Sequence, residues 1–484
     1  MAGLAFAALA MSFAGCGSAG TPIIPPPMPK GTTNVTVLLT STANDQLVKF
    51  YVSLASITLT DSTGNNVSLY NNASALISGG NGTAEFMHLN GGFEPLTTVT
   101  VPQGTYPSAA VTVGYCNLTT ITIDTAGGVD QSTDAEGLCG QGAGMATVNL
   151  PSPLVISGSA MALSLDLQVS QSYTLSGTGA PPPAGYTISP VFNLTSFAIA
   201  SPPTSQQNGR SFGIGAQITS VNQATNSFVA QTADGIPLTI ESGDSTAYQG
   251  IAGFANLAAG TLANLDLAIQ PDASLLATRI EVDDPAALMT STGPVIVPGS
   301  QAQQFLTLPV GTVGCTITGT PSCGNIFQYE STTVFGASGE FTNVQNLPFA
   351  ASFNATTLIL GQNVSNFSPG TILGQGYELA PTVILLPQVI NGTVTAVSSN
   401  QGFLVYTVAL APYDLIPTLQ GQVGPITRLN SPVNVVYVYA DTNTRLFNSA
   451  PLNAGSLLRF RGLLFDDNGT LRMDCDQIND GVPE

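Results

Sequence analysis

The chain has 484 residues, of which 43% are hydrophobic and only 8% are charged, so it is long enough for three or more domains with real cores. Nine Lys and Arg residues stand against 28 Asp and Glu residues, giving a formal net charge of −19. So few cations could not neutralise a phosphate backbone, which argues against nucleic acid or anionic lipid as the partner. The polar surface must come mainly from Thr, Ser, Asn, Gln and Gly, a composition that favours exported β-proteins.

The chain opens with an apolar, Ala-rich run over 1–13, which is too short for a transmembrane helix of about 20 residues. It closes on Ser12-Phe13-Ala14-Gly15-Cys16, which resembles the lipobox of bacterial lipoproteins. The resemblance implies a signal peptide over 1–16, lipidation of Cys16, a Pro-rich tether over 17–31 and attachment to a membrane through the N-terminal lipid. A buried helix or an ordinary secretory signal is the alternative interpretation.

The same resemblance implies a compartment. Gly17 follows the cysteine, which favours the bacterial outer membrane or cell surface, with a periplasm-facing protein as the alternative. The first basic residue is Lys30, so the run lacks a positively charged start, and we expect the true N-terminus to lie further upstream.

Residues 32–200 show period-2 alternation broken by Gly, Asn and Asp clusters, which predicts β-hairpins. The predicted strands include 35–40, 50–60, 67–70, 97–101, 108–113, 119–124, 160–167 and 191–199. No helical period is sustained over a dozen residues. About eight short strands at this spacing indicate a β-sandwich.

Four short motifs in this region carry a family resemblance. They are Glu85-Phe86-Met87-His88-Leu89-Asn90-Gly91-Gly92, Val101-Pro102-Gln103-Gly104-Thr105-Tyr106, Leu150-Pro151-Ser152 and Leu163-Ser164-Leu165-Asp166-Leu167. They resemble the landmarks of a domain-of-unknown-function family found at the N-terminus of bacterial lipoproteins. The resemblance implies a prealbumin-like β-sandwich and no assigned activity.

A Pro-rich linker over 201–211 precedes a second region that repeats itself. Ala259-Gly260-Thr261-Leu262 recurs as Pro369-Gly370-Thr371-Ile372 and Ala454-Gly455-Ser456-Leu457. This spacing predicts three small β-barrel-like repeats over 212–284, 335–390 and 391–484, with a connector over 285–334. The copies are similar to an unassigned, barrel-like repeat of secreted bacterial proteins. Such barrels bind oligosaccharides or oligonucleotides on one face, although fold does not fix function.

The cysteines fit an oxidising compartment. Nearest-neighbour spacing predicts disulfides between Cys116 and Cys139 and between Cys315 and Cys323. Cys475 is left over, and since the repeat alignment sets it beside Ile280 and Ile390, we expect a buried, apolar thiol. A reactive or intermolecular cysteine is the alternative.

Catalytic motifs are scarce. Gly209-Arg210-Ser211-Phe212-Gly213 matches the G-x-S-x-G nucleophile elbow, but no helix follows and the only histidine, His88, precedes it in another domain. We interpret the match as coincidence and His88 as a strand or turn residue. A single histidine also argues against a zinc site built on several histidines.

Carboxylates are the remaining candidates. Asp124, Asp130, Asp134 and Glu136 crowd into the segment between Cys116 and Cys139, which suggests Ca²⁺ as the one candidate cofactor, with solvated turns as the alternative. A glycosidase would need two carboxylates facing across a sugar cleft, and the chain has no Trp to form a sugar platform.

Two functional hypotheses follow. The first is a non-catalytic, exported lipoprotein of the cell envelope that binds an envelope polysaccharide or a surface protein. The second is a glycan-directed envelope hydrolase that uses an Asp/Glu pair. Because convergent titratable groups are missing from the sequence pattern, we favour the first.

Overall fold

A computed structural model of the chain describes residues 31–42, 47–72, 83–89, 92–123, 129–135, 144–175, 186–204, 206–298, 303–307, 311–313, 326–373, 377–411, 414–417, 434–446 and 451–480. Nearly all of the regular structure is strand, which confirms the all-β prediction of a sandwich followed by barrel-like units. No helix within these ranges is long and apolar enough to cross a bilayer. The lipobox and Cys16 lie outside them, so the predicted lipid anchor stays a prediction.

The N-terminal unit contains fourteen of the strands in the described ranges. They are β1 (Thr32–Thr42), β2 (Leu47–Thr60), β3 (Asn66–Asn71), β4 (Thr83–Glu85), β5 (Glu94–Pro102), β6 (Gly104–Tyr106), β7 (Ser108–Ile123), β8 (Val129–Ala135), β9 (Gly144–Asn149), β10 (Leu154–Ile156), β11 (Ala160–Gln168), β12 (Tyr173–Leu175), β13 (Tyr186–Ile188) and β14 (Val191–Phe197). A 3₁₀ turn over Val169–Gln171 follows β11.

Ten of these strands form one hydrogen-bonded path whose main order is β3-β2-β7-β9-β14-β11-β1-β5. Strand β9 joins its two halves, since it pairs antiparallel with β7 and parallel with β14. The side chains of Phe50 and Leu54 from one half and Val37 and Leu165 from the other belong to one buried core. This is the predicted sandwich, with β1 buried on both faces rather than half-exposed.

Two closed five-stranded barrels follow in the C-terminal region. The first consists of β15 (Arg210–Asn222), β16 (Ser227–Thr232), β17 (Pro237–Gln249), β18 (Leu262–Ile269) and β19 (Leu275–Glu281). The last consists of β29 (Gln388–Asn400), β30 (Phe403–Leu410), β31 (Val435–Leu446), β32 (Leu457–Asp467) and β33 (Thr470–Asp480). Short 3₁₀ turns at Gln206–Asn208 and Phe254–Asn256 flank β15 and β18.

Both barrels pair their strands in the order 1-2-3-5-4, with strands 3 and 5 parallel. This is the order of the oligonucleotide/oligosaccharide-binding (OB) fold, a five-stranded Greek-key barrel.

The middle unit follows the same plan with interrupted strands. It consists of β20 (Met289–Pro298), β21 (Gln304–Thr307), β22 (Gly311–Val313), β23 (Ile326–Gln328), β24 (Val334–Ala337), β25 (Asn363–Ser368), β26 (Ile372–Leu373), β27 (Tyr377–Leu379) and β28 (Thr382–Leu385), with a 3₁₀ turn at Val344–Asn346. Strand β20 pairs with β21 and β25, as strand 1 does in the closed barrels. Strands β23 and β24 together act as strand 3, because they run parallel to β27 and β28.

A threonine hydroxyl occupies the same place in all three units. Thr246 Oγ1 donates to Ala277 O at 2.6 Å and accepts from the backbone N–H three residues earlier. Thr333 bonds in the same way to Ala380 O at 2.9 Å, and Thr444 to Cys475 O at 2.8 Å. Each hydroxyl bridges strand 3 to strand 5 where strand 3 leaves its ladder.

This bridge corrects the sequence-based register of the repeats. Cys475 corresponds to Ala277 and Ala380, not to Ile280 and Ile390. The three residues at this position, Ala277, Ala380 and Cys475, have small side chains and are all buried. The pKa of Cys475 is raised, chiefly because burial disfavours the thiolate.

The glycine that precedes strand 4 requires a second correction. Gly260 N donates to Ile218 O, Gly455 N to Val394 O, and Gly361 N to Val295 O, each at 2.8 Å. Gly361, not Gly370, is therefore the equivalent residue in the middle unit. Gly370 lies in the turn between β25 and β26 and also has a positive φ. A turn glycine at this point explains why the sequence motif there is similar. The unit accordingly begins at Met289, inside the segment predicted as a connector, and includes most of it.

We expect Thr246→Val to destabilise the protein by about 2 kcal/mol, because an isosteric methyl leaves Ala277 O and the Gly243 N–H without their shared partner. Urea unfolding measures the loss. Thr239→Val, at an exposed position of the same strand β17, is the matched control and should change stability by less than about 0.5 kcal/mol. Equal effects of the two substitutions would contradict the role of the hydroxyl.

Candidate functional site

A cleft of about 240 Å³ lies where the sandwich and the three barrel units meet. Met87, Leu89 and Phe93 of the sandwich and Phe212 and Ile214 of the first barrel form much of its apolar wall. Pockets at domain junctions with apolar walls and a few convergent polar groups are the usual ligand sites of proteins.

The polar groups of the cleft come from every unit. They include His88 and Glu94 from the sandwich, Asn264 from the first barrel, Ser338 and Glu340 from the middle unit, and Gln388 and Arg461 from the last barrel. The cleft therefore exists only when the units are docked.

Glu85 holds His88 in place. The Glu85 carboxylate is buried and accepts hydrogen bonds from the backbone N–H groups of Phe50, Met87 and His88 at 2.8–3.1 Å. Its Oε2 also lies 3.2 Å from His88 Nδ1. These bonds fix the turn after β4 and orient the imidazole, with Nε2 directed at Glu94 Oε2, 3.3 Å away.

Asp234 brings the first barrel to the same place. It lies in the turn between β16 and β17, and its Oδ1 accepts a hydrogen bond from Glu85 N at 3.0 Å. Burial lowers the pKa of His88, but hydrogen bonds to Glu85 and Glu94 and the charge of Asp234 outweigh it and raise that pKa well above its usual value. Burial and the charge of Glu94 raise the pKa of Asp234, against the opposing effect of His88.

Two carboxylate oxygens in this group have no hydrogen-bond partner within the described part of the chain. They are Glu94 Oε1 and Asp234 Oδ2, both inaccessible to solvent. Orphaned buried oxygens of this kind are costly, at about 1–3 kcal/mol or more each, and are rare in native proteins.

An ion-pair group contributes Glu340 and Arg461 to the lining of the cleft. Arg461 binds Glu340 through two parallel bonds of 3.0 and 3.1 Å and also binds Asp476 at 2.6 Å. Arg445 pairs with Asp476 and lies 4.5 Å from the ring centroid of Phe212. Burial disfavours ionisation of Glu340, but the nearby Arg461 charge outweighs it and lowers the pKa of Glu340. The group ties the last barrel to the middle unit and to the first barrel.

A second ion-pair group lies in the first barrel. Arg279 pairs with Asp266 at 2.8 Å and with Glu281, whose Oε1 also accepts a bond from Gly339 N of the middle unit. Asp283 completes the group and accepts a bond from Asn264 in the cleft at 3.2 Å. Burial and the neighbouring Glu281 carboxylate raise the pKa of Asp283 to about 7.

The residues predicted from sequence are distributed differently. Cys116 is buried on β7, opposite Val52, but Cys139, Cys315 and Cys323 lie outside the described residues, so both disulfides stay predictions. Of the calcium candidates, Asp124 and Glu136 also lie outside, while Asp130 and Asp134 lie on β8, antiparallel to β7. The calcium prediction therefore stays a prediction.

The G-x-S-x-G match begins strand β15, where Ser211 is buried and pairs with Leu267. A buried strand serine is no nucleophile elbow, so the chemistry that this motif suggests is absent here. His88, which we interpreted from the sequence as a strand or turn residue, lines the cleft beside Glu94. The signal that could have identified it is the pair of carboxylates three residues before and six residues after it in a turn-rich stretch.

Comparison with known proteins finds no matching family profile and no matching curated protein. The resemblance of the N-terminal motifs to a lipoprotein family therefore stays a prediction.

We expect the free energy of unfolding to fall as the pH rises from roughly 4 to 7, in part because of Asp283. Its native pKa of about 7 lies above the unfolded value of about 3.9, so in this window the native state retains a proton that the unfolded state has lost. Asp283→Asn should make the decline shallower, as measured by urea unfolding at a series of pH values. Asp272→Asn, in an exposed turn where a backbone N–H lowers the carboxyl pKa, should leave the slope in this window unchanged. A slope insensitive to Asp283→Asn would contradict the assignment.

Proposed function

We propose that the protein is a non-catalytic, lipid-anchored binding protein of the bacterial cell envelope and that the junction cleft holds its ligand. The observation that carries the proposal is that four units contribute both apolar walls and convergent polar groups to one cleft. Anchorage through Cys16 and a location at the outer membrane or cell surface belong to the same proposal and rest on the lipobox resemblance.

The ligand we propose is a neutral segment of an envelope polysaccharide. The net charge of −19 repels anionic polymers. Within the cleft, Phe93 offers a ring surface, and the Asn264 and Gln388 amides offer donors and acceptors suited to sugar hydroxyls. A surface protein is the alternative partner.

The usual ligand face of an OB barrel is not free in the last barrel. Strands 2 and 3 of such barrels carry that face. Here Phe403 and Tyr439 of these strands pack against the middle unit, whose Phe349 lies 4.8 Å from the Tyr439 ring. This packing favours the junction cleft over the outer surface of the last barrel as the ligand site.

The hydrolase alternative has two carboxylates on the walls of the cleft, Glu94 and Glu340. Glu340 forms a bidentate pair with Arg461, which lowers its pKa, so it remains ionised and is a poor proton donor. Glu94 is directed at His88. Elsewhere, Asp283 lies against Glu281 within hydrogen-bonding reach, which leaves no room for a sugar between the two. These contacts favour binding over hydrolysis.

The test is retention of the full chain, in detergent, on peptidoglycan and on purified envelope polysaccharides, with released sugar assayed in the same tubes. We expect retention without sugar release, and we expect Phe93→Ala to weaken it at least 10-fold because the ring surface in the cleft is lost. Leu404→Ala, at a half-exposed leucine on the outside of the last barrel, is the control and should bind normally. Parallel tubes with calcium and with chelator test the predicted calcium site between Cys116 and Cys139.

Sugar release would overturn the proposal in favour of the hydrolase. Retention that Phe93→Ala leaves unchanged would place the ligand outside the cleft. Circular dichroism of each variant separates lost binding from lost folding.

A further inference from the structure

His88, Glu94 and Asp234 place three possible metal ligands close together. A ligand atom from each of these residues lies within 4.8 Å of the other two. The ligand atoms of a tetrahedral ion, each about 2.1 Å from it, stand roughly 3.4 Å apart. His88 Nε2 and Glu94 Oε2 are already 3.3 Å apart, so small side-chain rotations bring the third atom to its place.

The two orphaned oxygens point to the same conclusion independently. Glu94 is only 4% exposed, and neither its Oε1 nor Asp234 Oδ2 has a hydrogen-bond partner among the described residues. Polar ligand atoms that are buried without a partner call for a cation or a water between them.

Glu85 supplies the outer support that such centres have. Its Oε2 lies 3.2 Å from His88 Nδ1 and can accept a hydrogen bond from Nδ1–H, so that a metal ion which displaces the Nε2 proton binds the Nε2 lone pair. Metal-binding histidines regularly donate their other N–H to a carboxylate in this way. The three backbone hydrogen bonds to Glu85 fix this carboxylate, so the imidazole is already oriented before a metal binds.

From this geometry we infer that His88, Glu94 and Asp234 bind one divalent transition-metal ion such as Zn²⁺, with Glu85 orienting the imidazole. One imidazole and two carboxylates suit Zn²⁺ and its neighbours, whereas Ca²⁺ takes six to eight oxygens and no nitrogen. His88 and Glu94 are among the residues that line the cleft, so the site borders it. Since Asp234 belongs to the first barrel and the other ligands to the sandwich, the ion also joins these two units. The site stands independently of the proposed glycan ligand.

The experiment is equilibrium dialysis of the chelator-stripped full chain against Zn²⁺, with metal counted by mass spectrometry. We expect one tightly bound ion per chain. Glu94→Gln and Asp234→Asn should each weaken binding at least 100-fold, and Glu85→Gln should weaken it 10–100-fold. Glu241→Gln and Asp244→Asn, at exposed positions on the same barrel as Asp234, are the matched controls and should bind normally.

Co²⁺ absorption spectroscopy of the unaltered chain tests the site even if a variant fails to fold. Co²⁺ should give visible d–d absorption of a four-coordinate site without a sulfur-to-cobalt charge-transfer band, and Zn²⁺ should abolish it. A charge-transfer band would assign the metal to a cysteine and overturn the inference, as would the absence of tight Zn²⁺ binding or equal binding by Glu94→Gln, Asp234→Asn and their controls. Glycan retention is measured separately, so failure of one proposal leaves the other standing.

Discussion

The buried ion pair between Arg461 and Glu340 is the contact on which the arrangement of the units depends. The side chains are 11% and 9% exposed, and a charge removed from water to this extent is tolerated only with its partner in place. Arg461 belongs to the last barrel and Glu340 to the middle unit, and Asp476 and Arg445 extend the group to the Phe212 ring of the first barrel. A chain with only nine Lys and Arg residues has concentrated three of them, Arg279, Arg445 and Arg461, at these junctions. The barrels are therefore not independent domains. Separating them would break these ion pairs and leave each charge either buried without a partner or exposed to water.

Docking in this arrangement creates the cleft. The sandwich contributes the turn that carries His88 and Glu94, and the first barrel contributes Phe212, Asn264 and the nearby Asp234. The sandwich and the first barrel share one continuous hydrophobic core, whereas the contact of the barrels with one another is partly ionic. The hydrophobic contact between the sandwich and the first barrel stabilises their docking by burying apolar surface. The directional ion pairs between the barrels fix their relative orientation. A binding site assembled in this way is sensitive to the docking of all units at once.

Much of the fold could be predicted from the sequence because it depends on local patterns. Alternating residues around Val37, Phe50 and Leu165 identified the sandwich strands, and turn glycines such as Gly260 and Gly455 identified the first and last barrels. The middle unit could not be placed correctly, because its strands are interrupted and its true equivalent, Gly361, follows an insertion that short motifs do not reveal. The threonine bridges at Thr246, Thr333 and Thr444 depend on long-range pairing of strands 3 and 5, which no local pattern carries. The cleft was beyond prediction for the same reason: Asp234 and His88 are 146 positions apart in the chain, and only the packing of two units brings them together.

The central claim is that the cleft between the docked units is where the protein meets its ligand. Hydrogen exchange of the full chain, followed by mass spectrometry with and without the polysaccharide that retains it, tests this claim most directly. The account predicts that added protection concentrates in the turn around His88 (85–89 with 92–94), in 210–215 and in 386–390, which come from different units and contribute residues to the cleft. Protection confined to the outer strands of a single barrel, with these three segments unchanged, would contradict it.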